Sequence, residues 1–224
     1  MIDFVVQHQV SNCIFTPTQL KLMLRAPNRD KLQSWTSLQS LTLGGEPVPT
    51  WVLQEMLALN LPHAQLFNGY APTECTIINS LRRCTREDAE GEGFLPLALP
   101  MPPAKFYILD EHMRQTPIGV PGELWIGGPV VNNGYIKRPD LTEAAFVADP
   151  FDREQGSLLY RTGDQFCLDQ SGTLRALGRI SGNRQVKIRG MRVELDEIES
   201  ILYRALNQVA EHANFSVGLC AVVS

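Results

Sequence analysis

Three short runs of this sequence bring together residue types that could do chemistry. Asn68-Gly69-Tyr70-Ala71-Pro72-Thr73-Glu74 sets an aromatic ring, a hydroxyl and a carboxylate close together in a polar, kinked segment. The ring offers a flat face, the hydroxyl can meet an anion, and the carboxylate is a hard oxygen ligand of the kind Mg²⁺ takes. Tyr160-Arg161-Thr162-Gly163-Asp164 presents a second carboxylate on a glycine turn. There it can accept paired hydrogen bonds from two neighbouring hydroxyls without a metal. The third run, Gly178 to Glu199, contributes the cations Arg179 and Lys187 and a small-residue break at Ser181, Gly182 and Asn183.

The surrounding elements determine where these groups can sit. Thr16-Pro17 reads as a helix N-cap followed by proline at the first helical position, after the short apolar strand Cys13-Ile14-Phe15. Leu38 to Leu43 reads as a buried strand, Gly44-Gly45 as its turn, and Pro47 to Leu59 as the next helix. Such αβ repeats predict a parallel sheet, and a third strand, Ala64 to Phe67, runs into the 68–74 segment, expected as a loop. Loops at the carboxyl ends of parallel strands are where open α/β sheets bind ligands.

Beyond Arg86 an acidic, glycine-containing stretch and a proline-rich one predict a long surface loop. Short antiparallel strands are then expected at Lys105 to Leu109, Glu123 to Ile126, Gln165 to Leu168 and Thr173 to Leu177, with a helix from Pro139 to about Val147. A strand at Gln185 to Ile188, a helix striped with Leu195, Ile198, Ile201 and Leu202, and a terminal strand at Val217 to Val223 complete the reading. The expected fold is α/β. Residues 1–90 form part of a parallel-sheet subdomain and 91–178 a small, β-rich, barrel-like one, with 179–184 as a hinge and 185–224 as the start of a small α+β subdomain.

Bulk composition narrows the function classes. With 20 basic and 24 acidic side chains, the net charge of −4 gives none of the positive field that polyanion binding needs. Nucleic acid and anionic membrane surfaces are therefore not expected partners, and a cytoplasmic setting is. The five cysteines, Cys13, Cys75, Cys84, Cys167 and Cys220, include no C-x-x-C pair and read as reduced, mostly buried thiols.

Four segments, spanning essentially the whole chain, resemble the later core motifs of adenylation domains of nonribosomal peptide synthetases. These belong to the adenylate-forming superfamily that also holds acyl-CoA synthetases and luciferases. Asn68 to Glu74 resembles N-x-Y-G-P-T-E, with Ala71 where glycine is usual. Gly122 to Phe146 resembles G-E-L-x-I-x-G-x-G-V-A-R-G-Y, with Asn132-Asn133 where Ala-Arg is usual; an architectural role is expected, Tyr135 packing beneath the glycines. Tyr160 to Asp164 matches Y-R-T-G-D throughout. Gly178 to Glu199 resembles G-R-x-D-x-Q-V-K-I-R-G-x-R-I-E-L-x-E-I-E, with Ser181 where the hinge Asp is usual and two extra residues before Gln185.

The resemblance implies an enzyme that joins a carboxylic or amino acid to the α-phosphate of ATP and passes the acyl group to the phosphopantetheine thiol of a carrier domain. Condensation or reductase domains of a larger synthetase would be further partners. It places Tyr70 against adenine, Thr73 at phosphate, Glu74 on Mg²⁺, Asp164 on the ribose hydroxyls and Arg179 on the ribose and phosphate side. Asn68, Gly69 and Lys187 also fall on the nucleotide side of ATP or AMP, and Thr73, Glu74 and Arg179 are the implied catalytic groups. Ile14, Leu41, Leu43, Gly69, Ile77 and Ile78 correspond to substrate-pocket positions and equally suit an ordinary core. No lysine-bearing phosphate loop precedes residue 68, and no late lysine motif or carrier serine appears, so the chain alone is expected not to exchange pyrophosphate into ATP. A non-catalytic remnant or weak nucleotide-binding module is one alternative, and an acyl-CoA or aryl-CoA synthetase is another. Gln185 to Leu195 favours the peptide-synthetase branch.

Overall fold

In the computed structural model, which describes residues 1–152, 156–180, 185–188, 191–195, 197–199, 201–202 and 204–206, the first sheet holds four strands in sequence order. Strands β1 (Asn12–Phe15), β2 (Ser40–Gly44) and β3 (Gln65–Tyr70) are parallel, and β4 (Ser80–Arg83) turns back antiparallel to β3. Helix α1 (Ile2–Gln7) precedes β1, while α2 (Pro17–Leu24) and α3 (Thr50–Ala58) make the two crossovers.

Local chemistry starts α2 where expected. The Thr16 hydroxyl accepts from the Gln19 amide at 3.2 Å, and the Gln19 carboxamide accepts from the Thr16 amide at 2.9 Å. This reciprocal box satisfies two donors that a helix start leaves orphaned. Leu20, Met23 and Leu24 of α2 and Val52, Leu53 and Met56 of α3 then pack with Leu41 and Leu43 of β2 around Trp35. Each large side chain taken from water there contributes about 1.5–3 kcal/mol.

Strand β3 is longer than its sequence suggests, because Asn68, Gly69 and Tyr70 continue the ladder. Leu43 pairs with Asn68 and Gly44 with Gly69 on one side, and Leu81 with Gly69 and Ser80 with Tyr70 on the other. Two flanking partners outweigh the polar, turn-prone composition of the segment.

A second sheet holds five strands. Its path is β5 (Lys105–Leu109), β6 (Gly122–Gly127), β8 (Leu158–Leu168) and β7 (Phe146–Ala148), and β9 (Leu174–Arg179) also pairs with β8. Helix α4 (Pro139–Ala145) leads directly into β7. The core here is Leu124, Ile126, Phe146, Tyr160, Phe166 and Leu174, joined by Cys75 from the loop after β3.

The chain divides after Ile180 into two compact units. In the second, β10 (Gln185–Ile188) and β11 (Met191–Glu194) form an antiparallel hairpin, and helical residues follow between 195 and 206. The expected hinge residues Ser181, Gly182 and Asn183, the terminal strand and Cys220 lie outside the described residues. Among the described residues no helix is long and apolar enough to cross a membrane.

Candidate functional site

Asp164 owes its position to a bulge in β8. Trp125 of β6 faces Arg161 and Glu123 faces Gln165, so Thr162, Gly163 and Asp164 all fall opposite Leu124. A bulge of this kind bends a strand and re-aims its side chains. Gly163 supplies the turn with φ of 70°, a left-handed conformation costly for a residue with a Cβ.

The polar groups of the bulge are well accounted for. The Thr162 hydroxyl donates to the Leu124 carbonyl at 2.6 Å and accepts from the Asp164 amide at 3.1 Å. The Gly163 amide donates to Glu123 Oε1 at 3.1 Å, and the Gly163 carbonyl accepts from the Ile180 amide at 3.0 Å. Arg179 Nη1 donates to the Thr162 carbonyl at 2.7 Å. Glu123, which sequence reasoning left without a role, thus holds both the Gly163 amide and the Arg161 guanidinium on the neighbouring strand.

Two further motifs meet the bulge at Asp164. Tyr70, at the end of β3, donates its hydroxyl to Oδ2 at 2.5 Å, and Arg179, at the end of β9, donates to Oδ1 at 2.9 Å. Burial, and next the Asp164 charge, push the Tyr70 phenol well above its ordinary pKa, so it stays a neutral donor. Its ring is held edge-on by Phe166 and Phe106, with centroids 5.5 and 6.3 Å away. A carboxylate oxygen has two acceptor directions, so each Asp164 oxygen keeps one for a ligand hydroxyl. The Asp164 side chain is 23% exposed, which leaves it reachable.

The loop after β3 carries Thr73 and Glu74. Thr73–Cys75 forms one turn of 3-10 helix whose last residue is buried in the second core, and this fixes the loop to that sheet. Thr73 stays exposed, while Glu74 is buried and accepts from the Tyr135 hydroxyl at 2.8 Å. Tyr135 therefore does more than pack beneath glycines. Ala71 is not left-handed; the left-handed residues are Thr76 and Ile77, with φ of 55° and 67°. Asn79, another position that sequence reasoning missed, closes the loop. Its carboxamide donates to the Cys75 and Ile77 carbonyls at 2.8 and 3.2 Å, and its amide to the Tyr70 carbonyl at 2.9 Å.

The other expected site residues are more dispersed. Asn68 directs its amide inward, to the Leu95 and Pro96 carbonyls at 2.9 and 3.0 Å, and so ties β3 to the loop that leads to the second sheet. Lys187 lies on β10, in the second unit. Of the pocket positions, Leu41, Leu43 and Gly69 are buried, Ile78 is half-buried, and Ile14 and Ile77 are 65% and 68% exposed. A concavity of about 630 Å³ lies elsewhere, around Asn12, Ser40 and Gln65 where β1, β2 and β3 begin. Tyr70 stands at the opposite, carboxyl end of β3, the end at which parallel sheets bind ligands.

Comparison with known proteins agrees with this arrangement. The family model described as AMP-binding enzyme matches residues 1–136. Malpinin synthetase of Mortierella alpina is 36% identical over 199 residues, 89% of this chain and 2% of that protein. Tyrocidine synthase 3 of Brevibacillus parabrevis is 36% identical over 225 aligned positions, 98% of this chain and 3% of its own length. A solved NRPS protein containing adenylation and PCP domains superposes with a TM-score of 0.79 at 27% identity, covering 91% of this chain and 34% of that one. The Vibrio cholerae adenylation domain AlmE, solved in complex with glycyl-adenosine-5′-phosphate, gives 0.75 at 29% identity, covering 92% and 38%. The chain thus spans a small part of its curated relatives and about a third of those solved chains. With its motifs and its fold in agreement, it belongs to the AMP-binding enzyme family, as part of an adenylation domain of the nonribosomal peptide synthetase type.

Proposed function

We propose that this chain forms the nucleotide side of an adenylate-forming site in a longer synthetase. Asp164 receives the 2′ and 3′ hydroxyls of AMP or ATP, Tyr70 and Arg179 hold that carboxylate, and the Tyr70 ring faces the base. Arg179 also serves the phosphate side, together with the exposed Thr73 hydroxyl. The observation that carries the reading is the convergence of two separate motifs, through Tyr70 and Arg179, on the two oxygens of Asp164 in a third.

The donors around Glu74 fit Mg²⁺. One hard carboxylate beside a hydroxyl is what this ion needs when substrate phosphates and water fill its other positions. Among the described residues no cluster of three or more His, Cys, Asp or Glu could build a cage made of protein alone. Mg²⁺, when bound, supplies charge neutralisation at the phosphates. The acid activated is a carboxylic acid, with an amino acid favoured by the glycyl-adenylate in one solved relative. A carrier phosphopantetheine as acceptor is favoured by the PCP domain in another. A parent synthetase with condensation or reductase domains, working in the cytoplasm, completes the proposal.

The test is equilibrium binding of AMP and of 2′,3′-dideoxy-AMP to this chain. Losing two hydrogen bonds to a charged acceptor should weaken the dideoxy nucleotide at least about tenfold. Asp164→Ala should bring AMP down to the dideoxy level. Equal affinity for the two nucleotides would remove the ribose role of Asp164 and the reading with it.

A further inference from the structure

Glu74 is braced by the segment that sequence comparison leaves architectural. The Tyr135 hydroxyl reaches Glu74 Oε1 at 2.8 Å, and Tyr135 is itself held by α4 and β7. Its amide donates to Thr142 Oγ1 at 2.9 Å, that hydroxyl donates to the Arg138 carbonyl at 2.9 Å, and its ring meets Phe146 edge-on at 5.5 Å. A Cβ on Gly134 would lie 2.3 Å from Thr142 Cγ2, so only glycine lets α4 approach this closely.

Asn132 grips the same loop by its backbone. Its amide donates to the Glu74 carbonyl at 2.9 Å, and its Nδ2 to the Thr73 carbonyl at 3.0 Å. Its Oδ1 accepts from the Thr76 hydroxyl at 3.3 Å, which also reaches the Val130 carbonyl at 3.0 Å. These bonds hold Thr76, a β-branched residue, at φ of 55°. Such strain persists only where the surroundings over-determine the backbone.

We propose that Tyr135 and Asn132 are positioning residues for Glu74, fixing its carboxylate toward the divalent cation that accompanies ATP. This rests on the nucleotide reading above. A phenol is neutral, so it orients the carboxylate without cancelling the charge the cation needs, as an arginine or lysine in its place would. Outer partners of metal ligands act in this way. Asn132 stands where the family pattern has alanine, whose methyl group could make neither side-chain bond. The two side-chain bonds of Asn132 therefore depart from that pattern, while its backbone bond to the Glu74 carbonyl does not depend on the side chain.

The test is calorimetric titration of the full chain with ATP in Mg²⁺, ATP in EDTA, and AMP in EDTA. In Tyr135→Phe, which keeps the ring against Phe146, the affinity that Mg²⁺ adds for ATP should fall about tenfold to a hundredfold, by analogy with other outer-shell losses. AMP affinity in EDTA should stay close to that of the unaltered chain, and the variant should still melt cooperatively, at a lower temperature because a bond to a buried carboxylate is lost. Asn132→Ala should lower the Mg²⁺ gain in the same direction, and it decides alone if Tyr135→Phe does not melt cooperatively. An unchanged Mg²⁺ gain in the folded variants overturns the positioning role while the ribose site stands. A chain that binds AMP but gains nothing from Mg²⁺ overturns it equally. Failure of the unaltered chain to bind AMP overturns the nucleotide reading and this assignment together.

Discussion

The Tyr70 hydroxyl and Asp164 Oδ2 lie 2.5 Å apart although 94 residues of chain separate them. The bond joins the end of the parallel sheet to the bulge of the antiparallel one, so it ties fold to site. A hydrogen bond to a charged group contributes about 1.5–3 kcal/mol. Tyr70→Phe and Asp164→Asn should therefore each destabilise the chain. Their double variant should be less destabilised than the sum of the two, with a coupling of about 1 kcal/mol or more in urea unfolding. Additive effects would show that the contact carries no net energy.

The turn at Gly163 makes a separate prediction. Its φ of 70° favours glycine, and adding a Cβ there costs about 1–2 kcal/mol. Gly163→Ala should lower the unfolding free energy by that amount and weaken AMP binding, because relaxing the bulge turns Asp164 away from Tyr70 and Arg179. Full AMP affinity in a destabilised Gly163→Ala would separate the strain from the site.

These relationships differ in how far the sequence foretells them. Thr16-Pro17 announces α2 because capping is local chemistry, complete within four residues. The run Leu41-Thr42-Leu43, buried throughout, likewise reads as a parallel strand covered on both faces. Strand β4, Ser-Leu-Arg-Arg, gives no such signal, since its place is set by pairing with β3 and not by alternation. The bulge is equally silent, because a register shift belongs to two strands at once. Tyr70, Thr73, Glu74, Asp164 and Arg179 are legible as site candidates. Glu123 and the Tyr135 contact are not, because each acts through a partner distant in sequence. Asn79 is not, because its bonds to the Cys75 and Ile77 carbonyls depend on the left-handed turn at Thr76 and Ile77. Leu41 and Leu43 show the opposite difficulty, as apolar residues on a strand suit a pocket wall and a core equally.

The described cysteines are free thiols, and three of them are poorly ionised. Burial pushes Cys13 up to about 11 and Cys75 and Cys84 up to about 12. The thiolate is the reactive form, so at pH 8 only on the order of one Cys75 in ten thousand can react at any moment. Mass spectrometry after iodoacetamide treatment at pH 8 should find Cys75 and Cys84 unlabelled in the folded chain and fully labelled in urea. Prompt labelling of Cys75 under native conditions would mean that the Thr73–Cys75 turn leaves the second core.

Acid should act on the hairpin that carries both Asp164 and Arg179. Asp169, in the turn between β8 and β9, is held down to about 2, first by the Ser171 hydroxyl at 2.5 Å and then by the Thr173 amide at 3.0 Å. A carboxylate whose pKa is lower folded than unfolded stabilises the fold above its unfolded pKa, and that stability is lost as pH falls through the folded value. The contribution of Asp169 should therefore be complete above about pH 4 and fade between there and about pH 2. Asp110 and Asp140 are likewise held at about 2, so the whole-chain acid transition mixes several groups. The difference between the unaltered chain and Asp169→Asn isolates one of them. Followed by tryptophan fluorescence in urea, the stability difference should be constant from pH 7 to 5 and shrink toward pH 2. A difference independent of pH would assign the role of Asp169 to turn geometry instead of charge.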